Sequence, residues 1–279
     1  MDKIKFFKEK TENRVKKLGD YYSNQGLFKG EKLNEYKYLN NCSDFDKCSN
    51  LKNKDLCFWT GGVAHVGSKY DFAIKGKVFR IVVTGIDYGE EGLKSLEERR
   101  KSIEEDCASD MQRNKHMKGT ADVLKTIFEI EKEDNNEFIE GNHVFEMFAL
   151  VNYLKCSVTH KSNQVKKGKV SSTASTNLMY RNCSFHYLEE IKILKPSIII
   201  FQGTKAPKAF RDYIEKNKVG EIKEKRERIW EVKIKDLKFY TFNFYHPSAR
   251  GRYYWRKHFK EVVTPTIKYA KNKGYIVKL

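Results

Sequence analysis

Three polar side chains that could perform chemistry each follow a short apolar run of the sequence. Asp87 comes shortly after FRIVVTG, Asn152 ends FEMFALVN, and His246 follows KFYTFNF. An aspartate can orient or deprotonate a water molecule, an asparagine offers an acceptor and two donors to an amide-like edge, and a histidine can donate to a growing negative charge. Each residue also has a purely structural interpretation, as a helix cap, a strand-end partner or a loop histidine.

Four nearly continuous apolar runs predict the elements that position these side chains. The runs are residues 79–85, 145–152, 197–203 and 238–244. They are typical of strands buried on both faces, and helical patterns separate them, one of which (184–196) begins at Ser184 as a candidate N-cap. This alternation predicts an α/β fold, a three-layer α/β/α sandwich around a central, mainly parallel four-stranded sheet. Sites in such sheets lie beyond the carboxyl ends of the strands, so we expect the three side chains to meet there.

Composition gives the domain organisation and the expected partner. We expect residues 1–60 to form an N-terminal helical, cysteine-bearing extension packed on the core, and residues 61–279 to form the α/β domain. The chain carries 55 Lys and Arg against 37 Asp and Glu, a formal net charge of +18. This excess favours a polyanionic partner, nucleic acid before an anionic membrane, over a solvated lysine-rich surface.

The sequence contains no run of about 20 apolar residues that would span a membrane. Its first residues, MDKIKFFKEK, lack the apolar core of a signal peptide. We therefore expect a cytoplasmic protein, acting as a monomer without membrane contact, in which the six cysteines stay reduced.

Four segments in order resemble the uracil-DNA glycosylase superfamily. They are TGIDYG, ALVNYLKC, a cysteine-led helix running into LKPSIIIFQGTKA, and YHPSARG. The resemblance covers roughly residues 79–270 and is greatest to the iron–sulfur group called family 4, from which this chain diverges. It implies the fold of that superfamily and a monofunctional DNA glycosylase. Such an enzyme flips a modified pyrimidine, uracil or a modified cytosine, out of DNA, hydrolyses its N-glycosidic bond and leaves an abasic site.

The resemblance also implies a role for individual residues. Asp87 would position the attacking water and His246 would stabilise the departing base. The residues that would bind the base are Asn152, Tyr88, Met117, Ile86 and Gly85. The residues that would bind DNA are Ser248, Arg250, Arg252, Tyr253 and Lys205. In this interpretation the chain leaves its core at His246 and becomes a loop that probes the duplex.

Two positions depart from the family pattern. Ile86 stands where the family has a glutamate, so the water-positioning role moves to Asp87. Met117 stands where a phenylalanine would stack on uracil, and a flexible thioether accommodates more varied shapes than a fixed ring. The pocket could therefore take a bulkier base, including a glucosylated hydroxymethylcytosine of phage DNA in a phage-defence role. Alternatively Met117 is a core methionine, and Tyr88 or Phe58 is the stacking residue.

The cysteines suggest a metal centre that the hydrolysis itself does not need. The candidate ligands, four of which would suffice, are Cys42, Cys48, Cys57, Cys156 and Cys183. Cys156 and Cys183 match two ligands of the family's [4Fe–4S] cluster, whereas the spacing of the other three differs from the family's Cys-x-x-Cys. The alternatives are a zinc site with the same sulfurs, or ordinary buried cysteines.

Two further functions remain open on the sequence. One is a non-catalytic protein that recognises a modified base in DNA, which the presence of all three polar side chains argues against. The other is a metal-dependent nuclease built on Asp87, Glu90 and Glu91, although adjacent glutamates more often form the acidic first turn of a helix.

Overall fold

The computed structural model describes residues 4–28, 32–34, 37–38, 42–49, 56–86, 94–106, 114–130, 137–160, 175–249 and 254–279. The strands are Ile4–Phe6 (β1), Lys32–Asn34 (β2), Lys37–Tyr38 (β3), Leu56–Thr60 (β4), His65–Val66 (β5), Phe72–Ile74 (β6), Lys77–Phe79 (β7), Ile81–Gly85 (β8), Phe138–Ile139 (β9), Asn142–His143 (β10), Phe148–Asn152 (β11), Cys156–His160 (β12), Ile198–Gln202 (β13), Glu221–Arg226 (β14), Ile229–Ile234 (β15) and Leu237–Phe244 (β16). The helices are Lys8–Asn24 (α1), Phe45–Ser49 (α2), Leu96–Lys101 (α3), Lys115–Ile127 (α4), Asn177–Leu194 (α5), Lys205–Asn217 (α6), Trp255–His258 (α7) and Thr264–Asn272 (α8).

A seven-stranded mixed sheet in the order β14-β15-β16-β13-β8-β11-β5 forms the centre of the fold. The prediction of α/β architecture is confirmed, and the four predicted strands are the adjacent, mutually parallel strands β16, β13, β8 and β11. The prediction that the sheet has only four strands is wrong. Three antiparallel strands extend it, β5 on one edge and the β14–β15 pair on the other.

Two of the three missed strands, β5 and β14, lack the apolar pattern on which the prediction depended, whereas β15 (IWEVKI) alternates apolar and polar residues. Strand β5 has only two residues, and β14 reads EIKEKR with nearly every side chain exposed. An edge strand of this kind is charged because its outer side faces water, and the charge protects the open edge from pairing with another chain.

The side chains of the parallel strands alternate between two apolar cores, as expected for sheets covered on both faces. Val82 of β8 and Ile199 of β13 belong to one core, which helices α1, α5 and α6 complete. Ile81, Val83 and Ile200 belong to the other, which helices α4 and α8 complete. The sheet therefore holds its carboxyl edge rigidly between helices on both faces.

Helix α5 begins earlier than the sequence predicts. Its N-cap is Thr176, whose side chain accepts a hydrogen bond from the backbone N–H of Met179, and not Ser184. Ser184 lies inside the helix, where its hydroxyl donates to the carbonyl of Tyr180 one turn earlier. A serine that bonds back to its own helix is compatible with a helix interior, so its presence did not mark a boundary.

The N-terminal part of the chain packs on the first of the two cores. Leu18 and Tyr22 of α1 are buried there, together with Phe45 and Cys48 of α2. Strands β12, β4, β3 and β2 form a separate four-stranded sheet that joins this part to the residues following Asn152. Among the described residues, no helix is both long enough and apolar enough to cross a bilayer.

Candidate functional site

The site lies at the edge where the parallel strands of the large sheet end. Asn152, the last residue of β11, is paired with Gly85, the last residue of β8. On the other side of β8, Gln202 at the end of β13 is paired with Phe244 at the end of β16. His246 follows two residues later. The structure thus brings Gly85, Asn152 and His246 to one edge of one sheet, whereas Asp87, the third side chain expected there, lies outside the described residues.

Gly85 leaves room for two polar side chains to approach each other. A Cβ atom at Gly85 would lie 3.1 Å from Asn152 Oδ1 and 3.5 Å from His116 Nε2. The side chain of Asn152 is buried. A Cβ at position 85 would crowd Asn152 Oδ1 and reach ordinary contact with His116, so the glycine leaves space between these two side chains.

A buried charged network holds the backbone of Asn152. Lys155 Nζ donates to the carbonyl oxygen of Asn152 at 2.5 Å and also bonds the carboxylate of Glu190. Tyr22 donates to Glu190 Oε1 at 2.7 Å. Lys155 and Glu190 are each only 1% exposed, so this ion pair is shielded from water and fixes the end of β11 against α5 and α1.

The turn after β16 determines which ring nitrogen of His246 carries the proton. Its Nδ1 accepts a hydrogen bond from the backbone N–H of Ser248 at 3.2 Å and lies 2.7 Å from Ser248 Oγ. A backbone N–H can only donate, so Nδ1 carries the lone pair and Nε2 carries the proton. Burial lowers the pKa of His246 below the ordinary histidine value. The residue is therefore a neutral imidazole with an N–H donor at Nε2.

His116 is a residue of this site that the sequence analysis missed. It lies in the first turn of α4, and its ring stacks on that of His246 with centroids 5.2 Å apart and planes 11° apart. Its Nε2 atom is shielded from solvent and has no hydrogen-bond partner among the described residues. Burial, reinforced by the neighbouring His246, lowers the pKa of His116 to about 3. The one signal in the sequence was its position next to Met117, which the sequence resemblance places where a phenylalanine would stack on the base.

Met117 packs into the core instead of facing the cleft. Its side chain is buried in the apolar cluster that contains Val123 and Leu124 of the same helix. This placement agrees with the alternative in which Met117 is a core methionine. Phe58, one of the two other candidates for the stacking residue, is buried in the opposite core.

Helix α4 and the turn that carries His246 are in direct contact through Gly119. A Cβ atom at this position would lie 2.4 Å from Pro247 Cγ and 3.1 Å from the indole of Trp255. No side chain larger than hydrogen fits there without movement. The glycine therefore allows the close approach by which His116 and His246 stack.

A cleft of about 440 Å³ opens beside His246, a volume within the usual range for small-ligand sites. Its described lining is Ile86, Ser175, Tyr180, Gly203, Thr204, Lys205, Tyr245, His246 and Ala249. Lys205 begins α6 and is exposed at the mouth, so it brings a positive charge to the cleft. Gly203 has φ +133°, in the region that favours glycine, and its backbone lies against the side chain of Ile86.

The predicted DNA-binding and catalytic residues are only partly described. Ser248 and Lys205 are both exposed near His246. Lys205 lines the same cleft as His246, and Ser248 is hydrogen-bonded to the His246 ring. The predicted residues that lie outside the described ranges are Asp87, Tyr88, Arg250, Arg252 and Tyr253. Glu90, Glu91 and Cys107 lie outside them as well.

Several of the predicted metal-ligating cysteines gather around the first half of α5. Cys48 Sγ accepts from Asn182 Nδ2, and Cys183 Sγ accepts from the backbone N–H of Lys155, each at 3.4 Å. Cys42 Sγ lies 4.0 Å from His186 Nε2. Burial raises the pKa of the Cys183 thiol to about 12, so the sulfur is protonated in the metal-free protein.

The described side chains of this cysteine region show no metal-binding arrangement. Cys156 is buried at the start of β12, and the side chain of Cys57 lies outside the described part of the chain. Within the described residues, no group of three or more His, Cys, Asp or Glu side chains is arranged to hold a metal ion. No disulfide joins the cysteines of the described part of the chain.

Comparison with known proteins adds no assignment. No protein-family model matches the chain, and no curated protein matches its sequence.

Proposed function

We propose that this protein is a DNA glycosylase of the uracil-DNA glycosylase type, which extrudes a modified pyrimidine from DNA and hydrolyses its N-glycosidic bond. The observation that carries the proposal is the neutral His246, with its Nε2–H donor, at the same strand edge as the buried amide of Asn152 and beside an open cleft. The sequence resemblance over residues 79–270 and the net charge of +18 support the same assignment.

In the proposed reaction, the bond between C1′ of the sugar and N1 of the base breaks, and its electron pair leaves with the base. His246 Nε2–H donates a hydrogen bond to the oxygen on which the negative charge of the departing base grows. A neutral donor suits this task because it stabilises the anion while keeping its own proton. Asn152 binds the edge of the base and orients it for departure.

Water completes the reaction at the sugar. Its oxygen bonds to C1′, its proton passes to solvent or to the released base, and an abasic site remains in the strand. Asp87, two residues after Gly85, would orient this water and stabilise the positive charge on the sugar. Ser248, Lys205 and the arginines that follow Ala249 in sequence would hold the phosphates on either side of the extruded nucleotide.

The proposal includes a metal centre bound by cysteines, which takes no part in the hydrolysis. A [4Fe–4S] cluster, or zinc, bound by four of Cys42, Cys48, Cys57, Cys156 and Cys183 would hold the N-terminal part of the chain on α5, since Cys48 and Cys183 already lie there. A bound cluster predicts absorbance at about 400 nm in anaerobically purified protein. Metal analysis of the same sample distinguishes zinc from iron.

The test is incubation of the purified protein with duplex and single-stranded oligonucleotides that carry uracil, 5-hydroxymethylcytosine or glucosylated 5-hydroxymethylcytosine. We expect alkali-labile sites at the modified base on at least one substrate, and which substrate it is would decide between repair and phage defence. His246→Ala, Asn152→Ala and Asp87→Ala should each remove them. Binding to a modified base without strand lability would favour the non-catalytic alternative, and wild-type activity in the His246 and Asp87 variants would refute the mechanism.

A further inference from the structure

A buried nitrogen without a partner among the described residues lies near Asn152, the residue proposed to bind the base. It is His116 Nε2, which is shielded from solvent and accepts or donates no hydrogen bond within the described part of the chain. It lies close to Asn152 Oδ1, because both atoms approach the position that a Cβ of Gly85 would occupy, at 3.5 and 3.1 Å. Buried polar atoms are nearly always hydrogen-bonded, and leaving one without a partner is unfavourable. Such an atom at a binding site indicates that a ligand supplies the missing bond.

The surroundings of His116 favour a lone pair at Nε2. The ring is neutral because burial lowers its pKa to about 3. One of its two nitrogens therefore carries the proton. A buried N–H without an acceptor is rarer and more costly than a buried acceptor without a donor, which favours the proton on Nδ1. In that tautomer, His116 Nε2 and Asn152 Oδ1 are two adjacent hydrogen-bond acceptors.

We propose that His116 is a specificity-determining residue that, with Asn152, selects bases carrying an exocyclic amino group, so that the substrate is a 4-aminopyrimidine of the cytosine type and not a 4-ketopyrimidine of the uracil type. This inference rests on the proposed glycosylase function and deepens it. An amino group presents two N–H donors, one for each acceptor. A keto oxygen at the same place would face two lone pairs and would leave both acceptors unpaired.

The stack between His116 and His246 connects this selection to the chemistry. The rings are nearly parallel and 5.2 Å apart, so His116 also fixes the plane of the histidine that stabilises the departing base. A variant must therefore keep an aromatic ring if it is to change recognition without disturbing His246. Phenylalanine keeps the ring and removes the acceptor, and glutamine restores an acceptor without the ring.

The test compares base release from two matched pairs of oligonucleotides, cytosine against uracil and 5-hydroxymethylcytosine against 5-hydroxymethyluracil. Each pair differs in the group at position 4 and in the proton on N3, and kcat/KM is measured for wild type, His116→Phe and His116→Gln. We expect wild type to prefer the amino member, and His116→Phe to lose about 10- to 100-fold on it while changing little on the keto member. His116→Gln should recover part of the preference. Equal melting temperatures of wild type and His116→Phe would show that the fold is retained.

The outcomes separate this inference from the proposed function. If wild type releases bases but His116→Phe changes both members of a pair by the same factor, or changes neither, the assignment of His116 is wrong and the glycosylase function stands. A wild-type preference for the keto member would also overturn the inference. If wild type releases no base from these four substrates or from glucosylated 5-hydroxymethylcytosine, the proposed function is wrong, and the role of His116 is wrong with it.

Discussion

Burial keeps the ring of His246 neutral, and a two-residue turn sets its tautomer. Ser248 supplies two donors to Nδ1, its backbone N–H at 3.2 Å and its hydroxyl at 2.7 Å. Protonation at Nδ1 would break the bond from the backbone N–H, whereas the hydroxyl would have to turn and accept a bond instead. At the scale of single residues, the proposed chemistry therefore depends on the tautomer of His246 in which Nδ1 carries the lone pair and Nε2 carries the proton.

This arrangement predicts an acid limit for activity. Because the pKa of His246 is lowered, the ring stays neutral at neutral pH and becomes protonated only on acidification. We expect the rate of base release to remain constant from neutral pH downwards and to fall at a pH below the ordinary pKa of histidine. Because burial is the cause of the lowered pKa, Ser248→Ala, which keeps the bond from the backbone N–H, should retain an acid limit below the ordinary pKa of histidine. A fall of kcat at or above that ordinary pKa in wild type would contradict this account.

Asn152 and His246 could be predicted from the sequence, whereas His116 could not. The first two belong to or follow apolar strands, and the ends of parallel strands form a site edge by general rule. His116 lies in a helix whose orientation towards the sheet depends on tertiary packing. Its contact with His246 results from the fit of Gly119 against Pro247, which no local pattern encodes.

At the scale of elements, helix α4 and the turn after β16 form one unit. A Cβ atom at Gly119 would lie 2.4 Å from Pro247, a distance that real Cβ atoms do not show. Gly119→Ala should therefore destabilise the protein by about 1–3 kcal/mol and reduce base release by moving His246. The measurements are urea unfolding and single-turnover kinetics.

Gly19 of α1 provides the matched control for this variant. It is also a helical glycine, but a Cβ there would lie at an ordinary 3.6 Å from Leu96 Cδ1. Gly19→Ala should stabilise the protein by about 0.5–1 kcal/mol, because alanine is the better helix former. Equal effects of the two substitutions would show that the contact between Gly119 and Pro247 is unimportant.

The buried pair of Lys155 and Glu190 ties strand β11 to helices α5 and α1. Glu190→Gln would leave the ammonium group of Lys155 without its counter-charge in a site that is 1% exposed, and we expect a loss of about 3–5 kcal/mol in the free energy of unfolding. Glu215→Gln breaks an exposed pair with Arg211 and should cost less than about 1 kcal/mol. The midpoints of urea unfolding of the two variants measure this difference in stability. A Glu190→Gln variant as mild as Glu215→Gln would show that the network does not hold the end of β11.

At the scale of the whole molecule, the parallel centre of the sheet was predictable and its edges were not. Strands β8, β11, β13 and β16 are apolar on both faces because helices cover them, and that burial is visible in the sequence. The exposed strand β14 has a polar sequence that reads as a loop, and two-residue strands such as β5 have no pattern at all. The start of α5 was misplaced for a related reason, since serine is compatible with both a cap and a helix interior.

The net charge of +18 and the edge of the sheet point to the same kind of substrate. A net positive charge favours a polyanion, and the strand edge offers a cleft beside the neutral donor of His246, with the buried amide of Asn152 at the same edge. This combination suits a base extruded from a nucleic acid, because the phosphates bind the charged surface while the uncharged base enters the cleft.

The most direct test of the central claim is the identity of the product. Purified protein is incubated with DNA containing modified pyrimidines, and the small-molecule fraction is examined by mass spectrometry, with His246→Ala as the control. The account predicts free base in a quantity equal to the abasic sites formed, and neither product from the variant. Release of nucleotides with intact glycosidic bonds, or free base in equal amounts from wild type and His246→Ala, would contradict it.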